Sequence, residues 1–180
     1  MPSSRRHGVA FPLNVLYQRA GLAAPSVRAV TNAGLPAPYR DLLVHERDMT
    51  STLERHFGDR IEVRVLNTFN SDGFYFRRVL LALAGSGRPV CMGAVAIRLN
   101  ALPDRVQSRI VGQRAPLGRV LSAARIDFVS RPEAFFRVTP NGEMLGVFHM
   151  PAAVPLYGRQ DRLRVQGTII GTIVEVLPRL

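Results

Sequence analysis

The chain has 180 residues, of which 47% are hydrophobic, and a formal net charge of +11, which suits one globular domain with a real core. No apolar run reaches the roughly 18 residues of a transmembrane helix, and the interrupted N-terminus predicts no signal peptide. The single cysteine, Cys91, excludes an internal disulfide. We therefore expect a cytoplasmic protein with no membrane partner.

All 24 basic residues are arginines, and they are spread along the chain singly or in pairs. This distribution, without a basic cluster or a zinc-finger or RNA-recognition spacing, predicts no nucleic-acid partner. The charge indicates either a bias toward Arg over Lys with a solvated face, or a positive field that draws anionic ligands to a cleft. The four histidines have no zinc-ligand spacing, so we expect no metal.

The sequence divides into a poorly specified head and a well-patterned body. Residues 1–38 are rich in Ala, Pro, Gly and Ser, which predicts a poorly structured N-terminal arm. Residues 39–180 are predicted to form one domain. The first clear element is a helix over Met49–Phe57, with Asp48 as its N-cap and Gly58 at its end.

Strands dominate the rest of the body. Alternation or apolar content predicts strands over 61–65, 74–83, 89–99 and 125–138, the last broken at Pro132. Short helices are expected after Pro103 and Pro116, and Asn141-Gly142 predicts a hairpin turn. A final hairpin over residues 156–178 turns at Gln166-Gly167. The sum is an α+β fold with a single antiparallel sheet of about six strands.

Two adjacent arginines interrupt the apolar strand FYFRRVLL. Because side chains alternate between the faces of a strand, Arg77 or Arg78 must point with apolar neighbours whichever face is buried. A buried guanidinium is costly unless a carboxylate pairs with it. The partner is either an acidic residue of the protein or the carboxylate of a ligand, and the sequence leaves both open.

Four stretches of the sequence resemble, in the same order, motifs of the chorismate pyruvate-lyase family. They are DLLVHERDMTSTLERHF, FYFRRVLLALAGSGRPV, APLGRVL and LYGRQDRLRVQG. The resemblance extends over residues 39–178 and implies the family's fold. That fold is one antiparallel sheet backed by helices that form flaps over a buried ligand pocket. It is related to the ligand-binding domain of UTRA-type regulators.

The resemblance also implies the residues of a site. Matched by motif, Arg77 would hold a ligand carboxylate, the backbone of Leu117 and Gly118 would bind another part of the ligand, and Met49 would help to close a flap. The enzymes of the family remove pyruvate from chorismate, leaving 4-hydroxybenzoate, without a metal or an organic cofactor. No cofactor is therefore expected.

Two charged positions of the family are replaced in this chain. A gap-free match of the terminal hairpin places Val174 at the catalytic carboxylate, and the family's second arginine falls at Ala94. Val174 and Ala94 are therefore expected to line the pocket. Glu175, the candidate catalytic residue, follows one position later, so its side chain would point away. A β-bulge near Gly171 would return it to the pocket.

Three functions follow from this resemblance. The favoured one is a cofactor-independent lyase or cyclase of secondary-metabolite biosynthesis, repurposed for a non-redox elimination or a pericyclic-type cyclisation. Its substrate would be carboxylate-bearing or apolar. The alternatives are a genuine chorismate lyase and a non-catalytic module that binds a small molecule. The sequence leaves the oligomeric state open.

Overall fold

One antiparallel sheet of seven strands organises the chain, whose computed structural model describes residues 8–112 and 115–180. The strands are β1 (Ser26–Val30), β2 (Ile61–Ser71), β3 (Phe74–Leu83), β4 (Pro89–Ile97), β5 (Phe128–Thr139), β6 (Leu156–Val165) and β7 (Thr168–Leu177). Their spatial order is β1-β5-β6-β7-β4-β3-β2. The architecture is the predicted α+β class, with one strand more than expected.

Helices cover both faces of this sheet. They are α1 (Leu13–Arg19), α2 (Ala37–Leu43), α3 (Met49–Phe57), α4 (Asp104–Val111), α5 (Leu117–Ala123) and α6 (Gly142–Val147). One face, here called the N-terminal face, packs against α1 and α6. The other, here called the cavity face, packs against α2 and α3 in one cluster and α4 and α5 in a second. No helix of the described residues is long and apolar enough to cross a membrane.

The bounds of α3 are those the sequence predicts. The Asp48 carboxylate accepts a hydrogen bond from the Ser51 backbone N–H at 2.9 Å, which satisfies one free donor of the first turn. Gly58 ends the helix in the left-handed conformation, with φ of 66°. The last turn also carries His56, and cationic side chains suit that end of the helix dipole.

The N-terminal segment differs from the predicted poorly structured arm. Helix α1 buries Leu13, Leu16 and Tyr17 in the core of the N-terminal face. Strand β1 pairs with β5 and forms one edge of the sheet. Isolated apolar residues among prolines and glycines give little periodicity, so the pattern does not reveal elements that tertiary packing stabilises. The prediction for residues 1–7 lies outside the described residues.

One predicted turn is wrong and another is confirmed. Asn141 is the N-cap of α6 rather than part of a hairpin turn, and its side-chain oxygen accepts from the Met144 backbone N–H at 2.8 Å. Asparagine is favoured at both kinds of position, so the dipeptide alone does not decide. Gln166 and Gly167 do join β6 to β7, and both have positive φ, 49° and 79°, as a type I′ turn requires.

Candidate functional site

A small, partly enclosed cavity lies between the cavity face of the sheet and the first turns of α3 and α5. The space open to the centre of a water molecule is about 60 Å³, room for roughly four waters. Residues 48–50 and 116–118 line it from the helices, and we call these two segments the cavity roof. The other lining residues are Val63, Arg77, Val79, Leu81, Gly93, Val95, Leu121, Phe128, Ser130, Leu163, Ile173 and Glu175.

Arg77 is the cation on the floor of this cavity. Its side chain is only 3% exposed, and its one hydrogen bond in the described chain is a long one, from Nη1 to the Ile110 carbonyl at 3.4 Å. It has no salt bridge to an acid of residues 8–112 or 115–180. Burial lowers the pKa of this guanidinium, because a low-dielectric site disfavours its charge.

Arg78, the next residue, is also buried, but groups of the protein compensate its charge. It lies on the N-terminal face, where Nη1 donates to the Glu143 carboxylate at 2.9 Å and Nε donates to the Asn67 side chain at 2.9 Å. Its guanidinium also stacks over the Tyr17 ring, 4.1 Å from the centroid. The sequence left open whether the partner of a buried arginine is an acid of the protein or a ligand, and the two arginines differ in this respect. Arg78 has the protein carboxylate, and Arg77 points into the cavity without one.

Glu175 is the acid on the floor of the cavity. Its Oε2 accepts a hydrogen bond from Arg159 Nε at 2.7 Å, and its side chain is 12% exposed. The register aligns Arg77, Val95 and Ile173 across β3, β4 and β7, with Glu175 one pleat further along. Strand spacings then separate the Cα atoms of Arg77 and Glu175 by about 12 Å. The floor thus holds a guanidinium and a carboxyl group whose separation is comparable to the length of a small organic molecule.

A bulge in β7 puts Glu175, rather than Val174, on the cavity face. The register with β6 shifts between Leu163, which pairs with Gly171, and Arg164, which pairs with Ile169. Ile170 is the extra residue, and without it Arg159 would face Val174 instead of Glu175. The bulge considered near Gly171 is therefore present.

Val174 and Ala94 do not line the cavity. They pair with each other across β7 and β4 and are fully buried in the core of the N-terminal face. The residue that the gap-free match places at the family's acid position thus lies in the core, and the acid that lines the cavity is Glu175. An uncharged residue at the acid position was the reason to expect a repurposed chemistry, and Glu175 on the cavity face removes that reason.

The predicted roof residues do lie at the cavity. Met49, Leu117 and Gly118 all line it. The two helices meet closely here, since a Cβ on Gly118 would lie 3.2 Å from the Asp48 side chain. An ion pair between Arg119 and Glu54 joins α5 to α3. The roles of these residues toward a ligand stay predictions.

Sequence reasoning missed the polar group behind Glu175. Arg159 also contacts Asp161 at 3.1 Å, and Asp161 accepts from the Ser130 hydroxyl at 2.7 Å. Burial, and then the charge of Glu175, raise the pKa of Asp161 to about 7, although Arg159 and Ser130 act to lower it. The sequence did contain a signal for this group: Arg159 and Asp161 are two residues apart on β6, which places their side chains on one face of the strand. In the described residues no group of acids, histidines and cysteines could hold a metal ion.

Comparisons with known proteins match the fold alone. No family model and no curated protein matches the sequence. PhnF from Mycobacterium smegmatis matches 74% of this chain with a TM-score of 0.55 and 11% identity, and the match spans 64% of the PhnF chain. Gene product SA0254 from Staphylococcus aureus matches 66% of this chain and 84% of its own, with a TM-score of 0.51 and 10% identity.

A third match is the ligand-binding domain of a protein described as a GntR-family transcriptional regulator from Bordetella bronchiseptica. It covers 66% of this chain and 85% of that domain, with a TM-score of 0.50 and 14% identity. These matches confirm the predicted fold, which the regulator domains share with chorismate lyase. They provide no evidence for the family's catalytic activity.

Proposed function

We propose that this chain is a binding module for a small organic anion, which Arg77 holds through its guanidinium. The observation that carries the proposal is a buried arginine that faces a cavity without a carboxylate partner in the described chain. An uncompensated buried charge is expensive, and sequences keep one where a ligand supplies the missing partner. A carboxylate is the favoured group because it matches the guanidinium with two parallel hydrogen bonds.

The rest of the cavity supports a small and partly apolar ligand. Its walls are mostly aliphatic, with Phe128 as an aromatic member, and such walls with few convergent polar groups are typical of small-molecule sites. The space is small, so a ligand of benzoate size requires the cavity roof to shift outward. The match to a regulator ligand-binding domain supports a binding role over a catalytic one.

The test is thermal unfolding of the chain with increasing concentrations of acetate, pyruvate, benzoate and 4-hydroxybenzoate. At about 100 times the dissociation constant, a ligand stabilises the folded state by about 2.7 kcal/mol, which raises the melting temperature by about 5–10 °C. We expect at least one of these carboxylates to do so in the wild type and none in Arg77→Met. The matched control is Arg28→Met, which removes one charge from the exposed edge strand β1.

Arg28→Met should respond to the carboxylates as the wild type does. Equal stabilisation of wild type and Arg77→Met would refute the assignment of Arg77. A wild type that none of the four compounds stabilises would count against a carboxylate ligand of this size.

A second candidate function, chorismate lyase, is favoured by the position of Glu175. A carboxyl group on the cavity floor could take part in proton transfer to the leaving enolate of pyruvate, an effect of about two to four orders of magnitude in rate. Incubation with chorismate tests it through the release of 4-hydroxybenzoate. If the chain is a lyase, Glu175→Gln should lower the rate by about 100-fold or more. Absence of product at high enzyme concentration would refute the lyase and leave the binding module standing.

A further inference from the structure

Arg159 connects the cavity floor to the strand beside it. Its side chain is fully buried, and its guanidinium lies between two carboxylates, Glu175 at 2.7 Å and Asp161 at 3.1 Å. Although burial acts to lower it, the charges of Glu175 and then Asp161 raise the pKa of Arg159. The arginine therefore remains a cation, with donors left over for other acceptors.

Those remaining donors hold the last residue of α2 and the irregular segment that follows it. Nη1 donates to the carbonyl oxygens of Leu43 at 3.1 Å and His45 at 2.9 Å, and Nη2 lies 3.4 Å from the carbonyl of Arg47. Residues 44–47 form only bends. Because few backbone hydrogen bonds order such a segment, the charged donors of Arg159 are a main restraint on its path.

The His45 ring presents a lone pair toward the same arginine. Its Nε2 lies 2.9 Å from the Leu42 carbonyl, which fixes the proton on that nitrogen and leaves Nδ1 as an acceptor. Nδ1 lies 3.3 Å from Arg159 Nη1 and also accepts from the Arg47 backbone N–H at 3.2 Å. Burial, and then the charge of Arg159, lower the pKa of His45 to about 4. The ring is therefore neutral near pH 7, as this arrangement requires.

The held segment runs directly into the cavity roof. Asp48 follows Arg47, caps α3 and lines the cavity, together with Met49 and Thr50. Any displacement of residues 44–47 from the sheet would move this side of the roof. Arg159 therefore touches both the cavity floor, through Glu175, and the backbone that carries one half of the roof.

We propose that Arg159 is a positioning residue that holds the α3 half of the cavity roof closed against the sheet. It acts through the carbonyls of residues 43, 45 and 47, and it also pairs with Glu175 on the cavity floor. A change in the contacts of Glu175 is therefore coupled to the position of the α3 half of the roof. The consequence for ligand retention depends on the proposed binding function. The closure itself does not, and it is measurable without ligand.

The experiment is backbone hydrogen exchange of the full unliganded chain, followed by mass spectrometry. In Arg159→Lys the positive charge stays between the two carboxylates, but a lysine cannot reach three carbonyls in the arginine's geometry. We expect amides of residues 43–50 to exchange about 10- to 100-fold faster, the loss expected for hydrogen bonds to a charged donor. Peptides from β3 and β4 should exchange as in the wild type.

The matched control is Arg162→Lys on the same strand. Arg162 points to the other face and contacts Glu133 and Thr172, so this variant should leave exchange of residues 43–50 unchanged. Unchanged exchange there in Arg159→Lys would overturn the proposal. Uniformly faster exchange over the whole chain would overturn it too, since that is the result for a residue that only stabilises the fold.

A double variant covers the case in which Arg159→Lys does not fold. Arg159→Met combined with Glu175→Met removes the cation and one of its two carboxylate partners, while Asp161 keeps the hydrogen bond from the Ser130 hydroxyl. Residues 43–50 of this variant should exchange fast, while peptides from β3 and β4 stay protected. Protected amides in this folded double variant would refute the positioning role. Arg77→Met, which removes the anion site, should keep residues 43–50 protected, so failure of the two proposals is distinguishable.

Discussion

Replacing Arg77 with methionine should make the unliganded protein more stable. The guanidinium is 3% exposed and has one long hydrogen bond, at 3.4 Å, in the described chain. Its desolvation cost is therefore hardly offset, whereas the shorter, uncharged methionine packs against the aliphatic walls. Replacing buried charges with apolar residues stabilises proteins by about 1–4 kcal/mol in favourable cases. For a chain of this size we expect the melting temperature to rise by about 2–16 °C.

The adjacent residue provides the matched comparison. Arg78→Met removes a guanidinium that is equally buried but is bonded to Glu143 and Asn67 and stacked on Tyr17. Breaking a buried pair by removing one partner costs about 3–5 kcal/mol. The two substitutions are chemically identical and one residue apart, yet they should shift stability in opposite directions.

The assay is urea unfolding of wild type, Arg77→Met and Arg78→Met at pH 7, with melting curves in parallel. A stabilised Arg77→Met beside a destabilised Arg78→Met would identify Arg77 as a residue kept for binding at the expense of stability. If Arg77→Met loses as much stability as Arg78→Met, Arg77 has a structural partner within the protein, and the reasoning for an anion site fails.

Two further predictions concern the polar group behind Glu175 and the packing around glycines. Because the folded-state pKa of Asp161 is raised to about 7 from 3.8, its stabilising contribution is full below pH 4 and is lost as the pH rises to 7. The wild type should lose up to about 1.4 kcal/mol per pH unit there, relative to Asp161→Asn, and parallel urea-unfolding profiles would contradict this. Gly158→Ala should destabilise by about 2 kcal/mol or more, because the new Cβ would lie 2.5 Å from both the Glu175 carbonyl and the Phe136 ring. Gly146→Ala in α6 meets no atom within 4 Å and should gain up to about 1 kcal/mol of helix propensity; equal melting temperatures for these two variants would refute the packing argument.

The sequence predicted the fold well where local signals agreed with packing. Local sequence patterns correctly predicted three kinds of element. They are the helix cap at Asp48, the turn at Gln166-Gly167 and the apolar strands β3 and β4. The segment around α1 and β1 lacks such signals. Its order comes from burial of Leu13, Leu16 and Tyr17 against a sheet formed by distant residues, which no local pattern encodes.

The candidate site shows a sharper limit of sequence reasoning. Strand alternation correctly placed Arg77 and Arg78 on opposite faces, but only the structure assigned the protein carboxylate to Arg78. The single extra residue Ile170 reversed the expected orientations of Val174 and Glu175. A bulge leaves no clear pattern in the sequence, yet it moves every later side chain of the strand to the opposite face. The strand pattern alone therefore did not show which of these two residues lines the cavity.

The central claim is that Arg77 binds the anionic group of a ligand in this cavity. The most direct test is a crystal structure of the chain with whichever carboxylate raises its melting temperature most. We predict a carboxylate that bridges the guanidinium nitrogens of Arg77 at about 2.8 Å, the usual length of such charged hydrogen bonds, with the organic part toward Val95 and Ile173. A carboxylate bound elsewhere, with Arg77 paired to an acid of the protein, would contradict it.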